Sequence, residues 1–285
     1  MTVFFVSAVI FVAGSEALIR VYVAPRDTFD ARKNAFLNGT ETSAAFGDSG
    51  VVSGLVDGDG LANFADTGAG LDTILGKLDA YVAMGRGRRI VFQLAPQHFA
   101  LYRLSGGGKD ELREFLDPNS GGLQFLRPHY RKYLFDYWAA VLRDPTLLRG
   151  AESVKKDIQP RLVDMSSDAQ WREANIRVQL HIPVAGYAAT KEMRRLRAAL
   201  KRAQDRGVDL CLVTFPVGGT YRAVAGKFPI FAEIRAFYKN LAAGIGATHL
   251  DLWDAYDDRY FANVDHLNQD GSRRLTREIR RRCQI

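Results

Sequence analysis

Short apolar segments alternate with longer amphipathic segments along most of this chain, and this alternation constrains the fold most. Five segments have the length, apolar character and flanking Gly, Pro or Asp typical of strands, at residues 43–46, 61–65, 89–94, 208–215 and 248–252. Helical spacing of apolar residues predicts helices at 71–84, 188–206, 230–243 and 272–282. Strands separated by helices require right-handed crossovers. The pattern therefore predicts an α/β fold, a three-layer α/β/α sandwich with a mainly parallel five-stranded sheet.

The chain is long enough for one sizeable domain. It has 285 residues, of which 47% are hydrophobic. Residues 97–186 depart from the rhythm of strands and helices and are rich in aromatic and turn residues, so they predict a mainly helical insertion after the third strand. This insertion either covers the active site or extends the core. We predict an N-terminal segment at 1–24 and one domain at 25–285 that contains the insertion.

The N-terminal segment bears on where in the cell the protein is located. Residues 3–12 and 17–23 are apolar but are interrupted by Glu16, and Arg20 lies inside the second stretch. A span of about 20 apolar residues would cross a bilayer, and the basic start of a secretory signal is missing. We interpret residues 1–24 as a membrane anchor or signal-anchor helix whose cytoplasmic start is lost or mis-annotated. The domain would then lie outside the cytoplasm, in the periplasm or at the cell surface. The alternative is a helix packed on the domain, which leaves the compartment open.

The net charge bears on the binding partners, and the two cysteines bear on disulfide and zinc binding. The formal net charge of +7 favours acidic partners, and basic residues concentrate at 194–202 and 273–282. These clusters are either solvated helix faces or contacts for anionic lipid headgroups or an anionic glycan. Nucleic acid is not an expected partner, because no recognised nucleic-acid-binding motif accompanies the charge. Cys211 is predicted to be buried and Cys283 to lie in a basic helix, nothing demands a disulfide, and the Cys and His spacing fits no zinc site.

Two short motifs contain the residues predicted to be catalytic. Phe46-Gly47-Asp48-Ser49-Gly50 follows the first predicted strand, and Asn263-Val264-Asp265-His266-Leu267-Asn268 follows the last. Ligands bind beyond the carboxyl ends of parallel strands, so these motifs should meet at that edge with the loops at 66–70 and 95–99. A serine and a histidine brought together there can perform nucleophilic acyl transfer. Ser49 is the predicted nucleophile and His266 its base.

The order and wording of these motifs resemble the SGNH/GDSL family of serine esterases and acyltransferases, in which Gly-Asp-Ser opens the domain and Asp-x-x-His closes it. The resemblance spans roughly residues 43–282 and implies a flavodoxin-like fold. The Gly50 amide, directly after Ser49, is a predicted oxyanion donor. The resemblance implies a second donor at the Gly68 amide. Asp48 is interpreted as architectural, since its carboxylate can accept amide hydrogen bonds and hold the turn with Gly47.

The sequence departs from the family pattern in two places. Where the family supplies an asparagine from a Gly-x-Asn-Asp loop, this chain has Gln93-Leu94-Ala95-Pro96-Gln97-His98. Gln97 or His98 could donate to the oxyanion instead, and Gln97 is favoured. His98 could equally cap or line the inserted segment.

The second departure affects the triad acid. Asn263 stands where the family has Asp three residues before the histidine, and Asp265 is the immediate neighbour of His266. Replacing the triad Asp by Asn in a serine protease costs about 10⁴ in turnover through the wrong tautomer. The partner of His266 therefore stays open between Asp265, Asn263, an upstream carboxylate at 251, 254, 257 or 258, and a backbone carbonyl.

These observations predict a membrane-anchored, extracytoplasmic SGNH-like serine esterase or O-acyltransferase that needs no cofactor. The resemblance implies acetyl or similar esters of a cell-envelope polysaccharide as substrate, and a multi-spanning membrane acyltransferase as a partner. The alternative is a catalytically weak or inactive SGNH-shaped binding or assembly component, supported by Asn263 and by the missing asparagine of the Gly-x-Asn-Asp loop. A soluble cytoplasmic esterase is a third hypothesis, which the apolar N-terminus disfavours.

Overall fold

The computed structural model describes residues 2–25, 27–104, 109–131, 134–145 and 161–285. Over these residues the chain is an α/β protein with one five-stranded, all-parallel sheet and flanking helices. The predicted three-layer α/β/α sandwich is confirmed. Residues 105–108, 132–133 and 146–160 of the predicted insertion lie outside the described residues, as do residues 1 and 26.

The strands follow the predicted pattern closely. They are β1 (Ser43–Phe46), β2 (Leu61–Asn63), β3 (Arg89–Gln93), β4 (Asp209–Thr214) and β5 (Thr248–Asp251). Their order across the sheet is β2-β1-β3-β4-β5, which is the flavodoxin-like order. Only β1 has the predicted bounds. The other strands are shorter, because the apolar runs continue as buried chain beyond the last residue of the hydrogen-bonded ladder.

Burial explains why the strands are continuous apolar runs. Ala44, Val91 and Leu212, which lie on three neighbouring strands, are all 0% exposed. A parallel sheet is covered by helices on both faces, so its strands lose the alternation of apolar and polar residues. The topological switch point lies between β1 and β3, where the strand order reverses. Ligands in such folds bind outside the carboxyl ends of the strands at this point.

The helices complete the architecture. The α-helices in the described ranges are α1 (Thr2–Leu18), α2 (Phe29–Asn38), α3 (Ser49–Gly54), α4 (Leu71–Ala83), α5 (Leu101–Leu104), α6 (Lys109–Leu116), α7 (Pro128–Arg131), α8 (Leu134–Arg143), α9 (Ser167–His181), α10 (Lys191–Asp205), α11 (Gly219–Ala225), α12 (Ile230–Gly244) and α13 (Gln269–Cys283). The four predicted helices correspond to α4, α10, α12 and α13. Helix α13 begins earlier than predicted, because Asn268 caps it by accepting the amides of Asp270 and Gly271. Short helices α3 and α11 were not predicted.

The chain divides into two compact units, residues 1–39 with 110–158 and residues 40–109 with 159–285. The first unit contains an ion-pair network in which the buried Arg127 binds Asp30 and Glu114. The second unit contains the entire sheet. This division does not coincide with the predicted boundary at residue 24, and the anchor remains a prediction.

The N-terminal helix α1 continues into a π-helical stretch at Ile19–Val23. Glu16 and Arg20 form an ion pair one helical turn apart, and Trp138 donates a 3.0 Å hydrogen bond from Nε1 to Ser15. In the part of the chain that the structure describes, no helix combines the length and the hydropathy needed to span a membrane.

A disulfide joins Cys211 in β4 to Cys283 at the end of α13. The Cα atoms lie 5.8 Å apart, a separation that a disulfide spans. Cys211 is buried, as predicted. The bond, which the sequence left open, ties the last helix to the sheet across 72 residues of chain.

Candidate active site

Ser49 is held in a sharp turn between β1 and α3. Strand β1 ends at Phe46, and Asp48 then caps α3 by accepting a 2.9 Å hydrogen bond from the Gly50 amide. The Asn63 side chain, at the end of β2, donates to the carbonyls of Val51 and Leu55 at 3.1 Å each. These bonds satisfy carbonyl groups at the end of the short helix, so Ser49 stands on a rigid support.

His266 lies in the loop between β5 and α13, directly opposite Ser49. The Ala262 amide donates to the His266 carbonyl at 2.9 Å, and the cap at Asn268 fixes the chain after the loop. His266 Nε2 lies 2.9 Å from Ser49 Oγ, although the two residues are 217 positions apart. The structure therefore brings the predicted nucleophile and base within hydrogen-bonding distance.

Asn263 orients the His266 ring. Its Oδ1 accepts the backbone amides of Asp265 at 3.2 Å and of His266 at 2.8 Å. The same oxygen lies 3.1 Å from His266 Nδ1. Two amide donors require an oxygen at this position, so the side-chain NH₂ of Asn263 cannot face the ring. Nδ1 must then carry the proton, which leaves the Nε2 lone pair for the Ser49 hydroxyl.

Asp265 also reaches the ring, on the same nitrogen. Its Oδ1 lies 3.1 Å from His266 Nδ1 but is not aligned for a hydrogen bond, and this buried oxygen has no hydrogen-bond partner in the described structure. Its Oδ2 accepts from Arg177 Nε at 3.0 Å and Nη2 at 2.6 Å. Burial raises the pKa of Asp265, but His266 and Arg177 outweigh burial and hold that pKa well below its usual range. Asp265 therefore brings a negative charge to the ring.

Two of the four upstream carboxylates bind other partners. Asp251 binds Arg235 through two hydrogen bonds, the shorter at 2.7 Å. Asp258 accepts the Gly219 amide at 2.6 Å. In the described structure, the side-chain oxygens beside His266 Nδ1 are Asn263 Oδ1 and Asp265 Oδ1, each at 3.1 Å.

Helix α9, inside the predicted insertion, contributes side chains that the sequence did not mark as functional. Arg177 and His181 line the same cavity as Ser49. His181 Nδ1 lies 2.9 Å from the Tyr221 hydroxyl and 3.9 Å from Asp265 Oδ2. Burial lowers the pKa of His181 to about 4, so the ring is neutral at pH 7. The i, i+4 spacing of Arg177 and His181 places them on one helix face, and this spacing was the sequence feature that could have indicated a shared site.

Gln97 and His98, the predicted side-chain donors to the oxyanion, are gathered around Asp48 and not around Ser49. Gln97 Nε2 donates to Asp48 Oδ2 at 3.1 Å, and His98 Nε2 lies 3.7 Å from the same oxygen. His98 is 1% exposed, and burial lowers its pKa to about 4. Burial raises the pKa of Asp48, but His98, the Gly50 amide, Arg103 and Gln97 outweigh it and lower the pKa. Gln97 lines the cavity, whereas His98 is not among its lining residues.

The predicted glycines occupy different environments. The Gly50 amide is already bonded to Asp48, so it is not free to receive an oxyanion in this arrangement. Gly68 has a φ of +79°, a left-handed conformation that favours glycine, and its carbonyl accepts from Arg103. Gly68 does not line the cavity, nor does any other residue of the loop at 66–70. Three of the four predicted loops therefore meet at Ser49.

The cavity beside Ser49 and His266 is small, with a volume of about 30 Å³. Its lining includes polar and aromatic residues that the sequence did not single out as site residues, among them Gln93, Arg103, Arg177, Thr214 and Trp253. Gln93 and Thr214 are the last residues of β3 and β4, so they stand at the carboxyl edge of the sheet. Thr214 Oγ1 is buried and has no hydrogen-bond partner among the described residues. A volume of this size holds one or two water molecules.

Known proteins give no family assignment for this chain. No protein-family model matches it, and a search of curated proteins finds no significant match. The function must therefore be argued from the site: a serine-histidine pair at the switch point of a flavodoxin-like sheet.

Proposed function

We propose that this protein is an SGNH-like serine esterase or O-acyltransferase with Ser49 as nucleophile and His266 as general base. The observation that carries the proposal is the 2.9 Å contact between Ser49 Oγ and His266 Nε2. The ring is further held at Nδ1 by Asn263, at 3.1 Å. A nucleophile within hydrogen-bonding distance of a base, and a base oriented by a third group, is the arrangement of activated serine nucleophiles.

The reaction would proceed in two halves. His266 Nε2 takes the hydroxyl proton while Ser49 Oγ bonds to the acyl carbon, and the C=O π pair moves to the carbonyl oxygen. When that pair returns, the alcohol oxygen leaves with the bonding pair and takes the proton from His266. The acyl-Ser49 ester is then attacked by water or a sugar hydroxyl in the same manner, which restores Ser49. No cofactor enters this sequence.

Asn263 and Asp265 would divide the work of a triad acid. Asn263 sets the tautomer through its fixed Oδ1, and Asp265 contributes charge at 3.1 Å from Nδ1. In serine proteases one Asp performs both tasks, because it accepts from Nδ1 and stabilises the imidazolium. With the Asp265 charge beside the ring, an Asn at position 263 would lower the turnover less than it would without that charge.

The substrate would carry a small acyl group. The cavity beside Ser49 has a volume of about 30 Å³, and this small size favours an acetyl group over a long acyl chain. We propose acetyl esters of a cell-envelope polysaccharide as the substrate, by the SGNH resemblance. A multi-spanning membrane acyltransferase is the proposed partner on the same basis.

We further propose that the domain works outside the cytoplasm, anchored by its N-terminal segment. The Cys211–Cys283 disulfide supports this location, since disulfides persist in oxidising compartments and are rare in the cytosol. The apolar residues at 3–12 are the sequence feature in favour of an anchor.

A second candidate is a binding or assembly component of an envelope polysaccharide modification system, with weak or no catalysis. Asn263 favours it, because the group aligned with His266 Nδ1 is a neutral amide oxygen. The Gly50 amide also favours it, because this predicted oxyanion donor already donates its hydrogen bond to Asp48.

Labelling with a fluorophosphonate probe separates the two candidates. An activated Ser49 is expected to label in the wild type, to lose labelling in Ser49→Ala, and to label much more slowly in His266→Ala. Ser53→Ala is the matched control, because Ser53 lies in the same helix and its hydroxyl donates to the Ser49 carbonyl at 2.9 Å. Labelling that survives Ser49→Ala, or a folded wild type that does not label, would favour the binding component.

A further inference from the structure

Gln93 brings an amide side chain to the cavity beside Ser49 and His266. It is the last residue of β3, lines the cavity with Ser49 and His266, and is 2% exposed. Its Oε1 accepts a 2.8 Å hydrogen bond from the Asp48 amide. This bond fixes the side chain's orientation, because an amide oxygen and not an NH₂ group must face a backbone N–H.

With Oε1 fixed on Asp48, Nε2 is directed to Gly50. A Cβ at position 50 would lie 2.5 Å from Gln93 Nε2, and a Cβ at position 47 would lie 2.4 Å from Oε1. The two glycines that flank Asp48-Ser49 therefore leave the space that the Gln93 side chain fills. Among the described residues, Gln93 Nε2 donates to no acceptor. Its N–H groups remain available beside the nucleophile.

The donors that the sequence predicted are engaged or misplaced. The Gly50 amide donates to Asp48 Oδ1 at 2.9 Å, and Gln97 Nε2 donates to Asp48 Oδ2 at 3.1 Å. Both bonds hold the turn before Ser49. His98 is buried outside the cavity lining.

We infer that Gln93 supplies the side-chain oxyanion donor of this site, in place of the Gln97 or His98 that the sequence favoured. The inference rests on the proposed function. As Ser49 Oγ bonds to the acyl carbon and the π pair moves to the carbonyl oxygen, a Gln93 N–H donates a hydrogen bond to that oxygen. Such a donor accelerates acyl transfer because it is already in place when the charge develops.

Two variants test the donor. Gln93→Glu keeps an acceptor for the Asp48 amide and removes the N–H groups, and Gln93→Met removes both without adding charge. Each is expected to lower kcat on p-nitrophenyl acetate by about 10²- to 10³-fold with little change in KM, as for other lost oxyanion donors. Gln179→Glu, on an exposed position of α9, is the matched control and should keep wild-type kcat. Circular dichroism checks that each variant is folded.

The phosphonate adduct of the wild-type protein gives a test that needs no variant. In a crystal structure of the adduct, the phosphonyl oxygen is expected about 3 Å from Gln93 Nε2. An oxygen bound to Gln97, Thr214 or the Gly50 amide instead, or wild-type kcat in both Gln93 variants, would overturn the inference and leave the proposed function intact. A folded wild type that forms no adduct and hydrolyses no ester would refute both.

Discussion

Asp265→Asn is expected to lower the turnover of an acetyl ester by about thirtyfold without unfolding the protein. The carboxylate oxygen Oδ1 lies 3.1 Å from His266 Nδ1. In the proposed mechanism it would stabilise the imidazolium that forms when His266 takes the Ser49 proton. The substitution removes that charge and leaves the ring orientation to Asn263. The loss should therefore be smaller than the roughly 10⁴ of a serine protease, where the tautomer is also lost.

The magnitude follows from the geometry. A unit charge about 4 Å from the imidazolium contributes about 4 kcal/mol at an effective dielectric constant near 20. Arg177 Nη2 lies 2.6 Å from the other oxygen of Asp265 and cancels part of this field. We take half, about 2 kcal/mol, as the net stabilisation, which corresponds to roughly thirtyfold in rate.

The assay is steady-state hydrolysis of p-nitrophenyl acetate, with Ser49→Ala as the background. Asp254→Asn is the matched control, because Asp254 is an exposed carboxylate in the loop before His266. In the Arg177→Met background, Asp265→Asn should cost more than thirtyfold, since the carboxylate is then unneutralised. The reasoning is refuted if Asp265→Asn keeps wild-type kcat while Asn263→Ala abolishes activity, because orientation alone would then suffice.

Two further predictions concern stability. Reduction of the Cys211–Cys283 disulfide should lower the free energy of unfolding by about 4 kcal/mol, from the loop-entropy relation for a separation of 72 residues. Urea denaturation with and without a thiol reductant measures this, and equal midpoints would contradict it. The second prediction concerns His98, whose pKa burial lowers from 6.5 to about 4 in the folded protein. Between about pH 4 and pH 6.5 the unfolded chain binds a proton on His98 more readily than the folded protein does. The neutral, buried His98 ring therefore contributes fully to the free energy of unfolding above pH 6.5, and this contribution is lost as pH falls towards 4. His98→Gln should make the unfolding free energy less sensitive to a change from about pH 7 to about pH 5, and an unchanged pH dependence in urea denaturation would argue against burial as the cause.

The sequence was sufficient to predict the sheet and to predict that Ser49 and His266 lie close together. Strands of this fold are buried on both faces, so each is a local apolar run that can be recognised from its own residues. The turn at 47–50 is also local, since it follows β1 directly and is held by Asp48. Parallel strands present their carboxyl ends at one edge, which is why the loops bearing Ser49 and His266 could be expected to meet.

The choice among neighbouring polar residues required the tertiary structure. Gln93 and Gln97 are both amides near the end of β3, and the sequence favoured Gln97. The fold directs Gln97 to Asp48 Oδ2 and places Gln93 against Gly50. Side-chain direction at the end of a strand depends on the pleat and on the space that a facing turn leaves, and neither is encoded in composition or spacing.

The remaining features join residues that are far apart in sequence. Ser49 meets His266 across 217 positions, Arg177 meets Asp265 across 88, and Asp48 meets Gln93 across 45. Local pattern determines helices and strands because their hydrogen bonds and periodicities involve near neighbours. Contacts such as the Arg177 ion pair and the Cys211–Cys283 disulfide arise only when strand order and helix packing bring distant segments together, and these were decided by the tertiary structure alone.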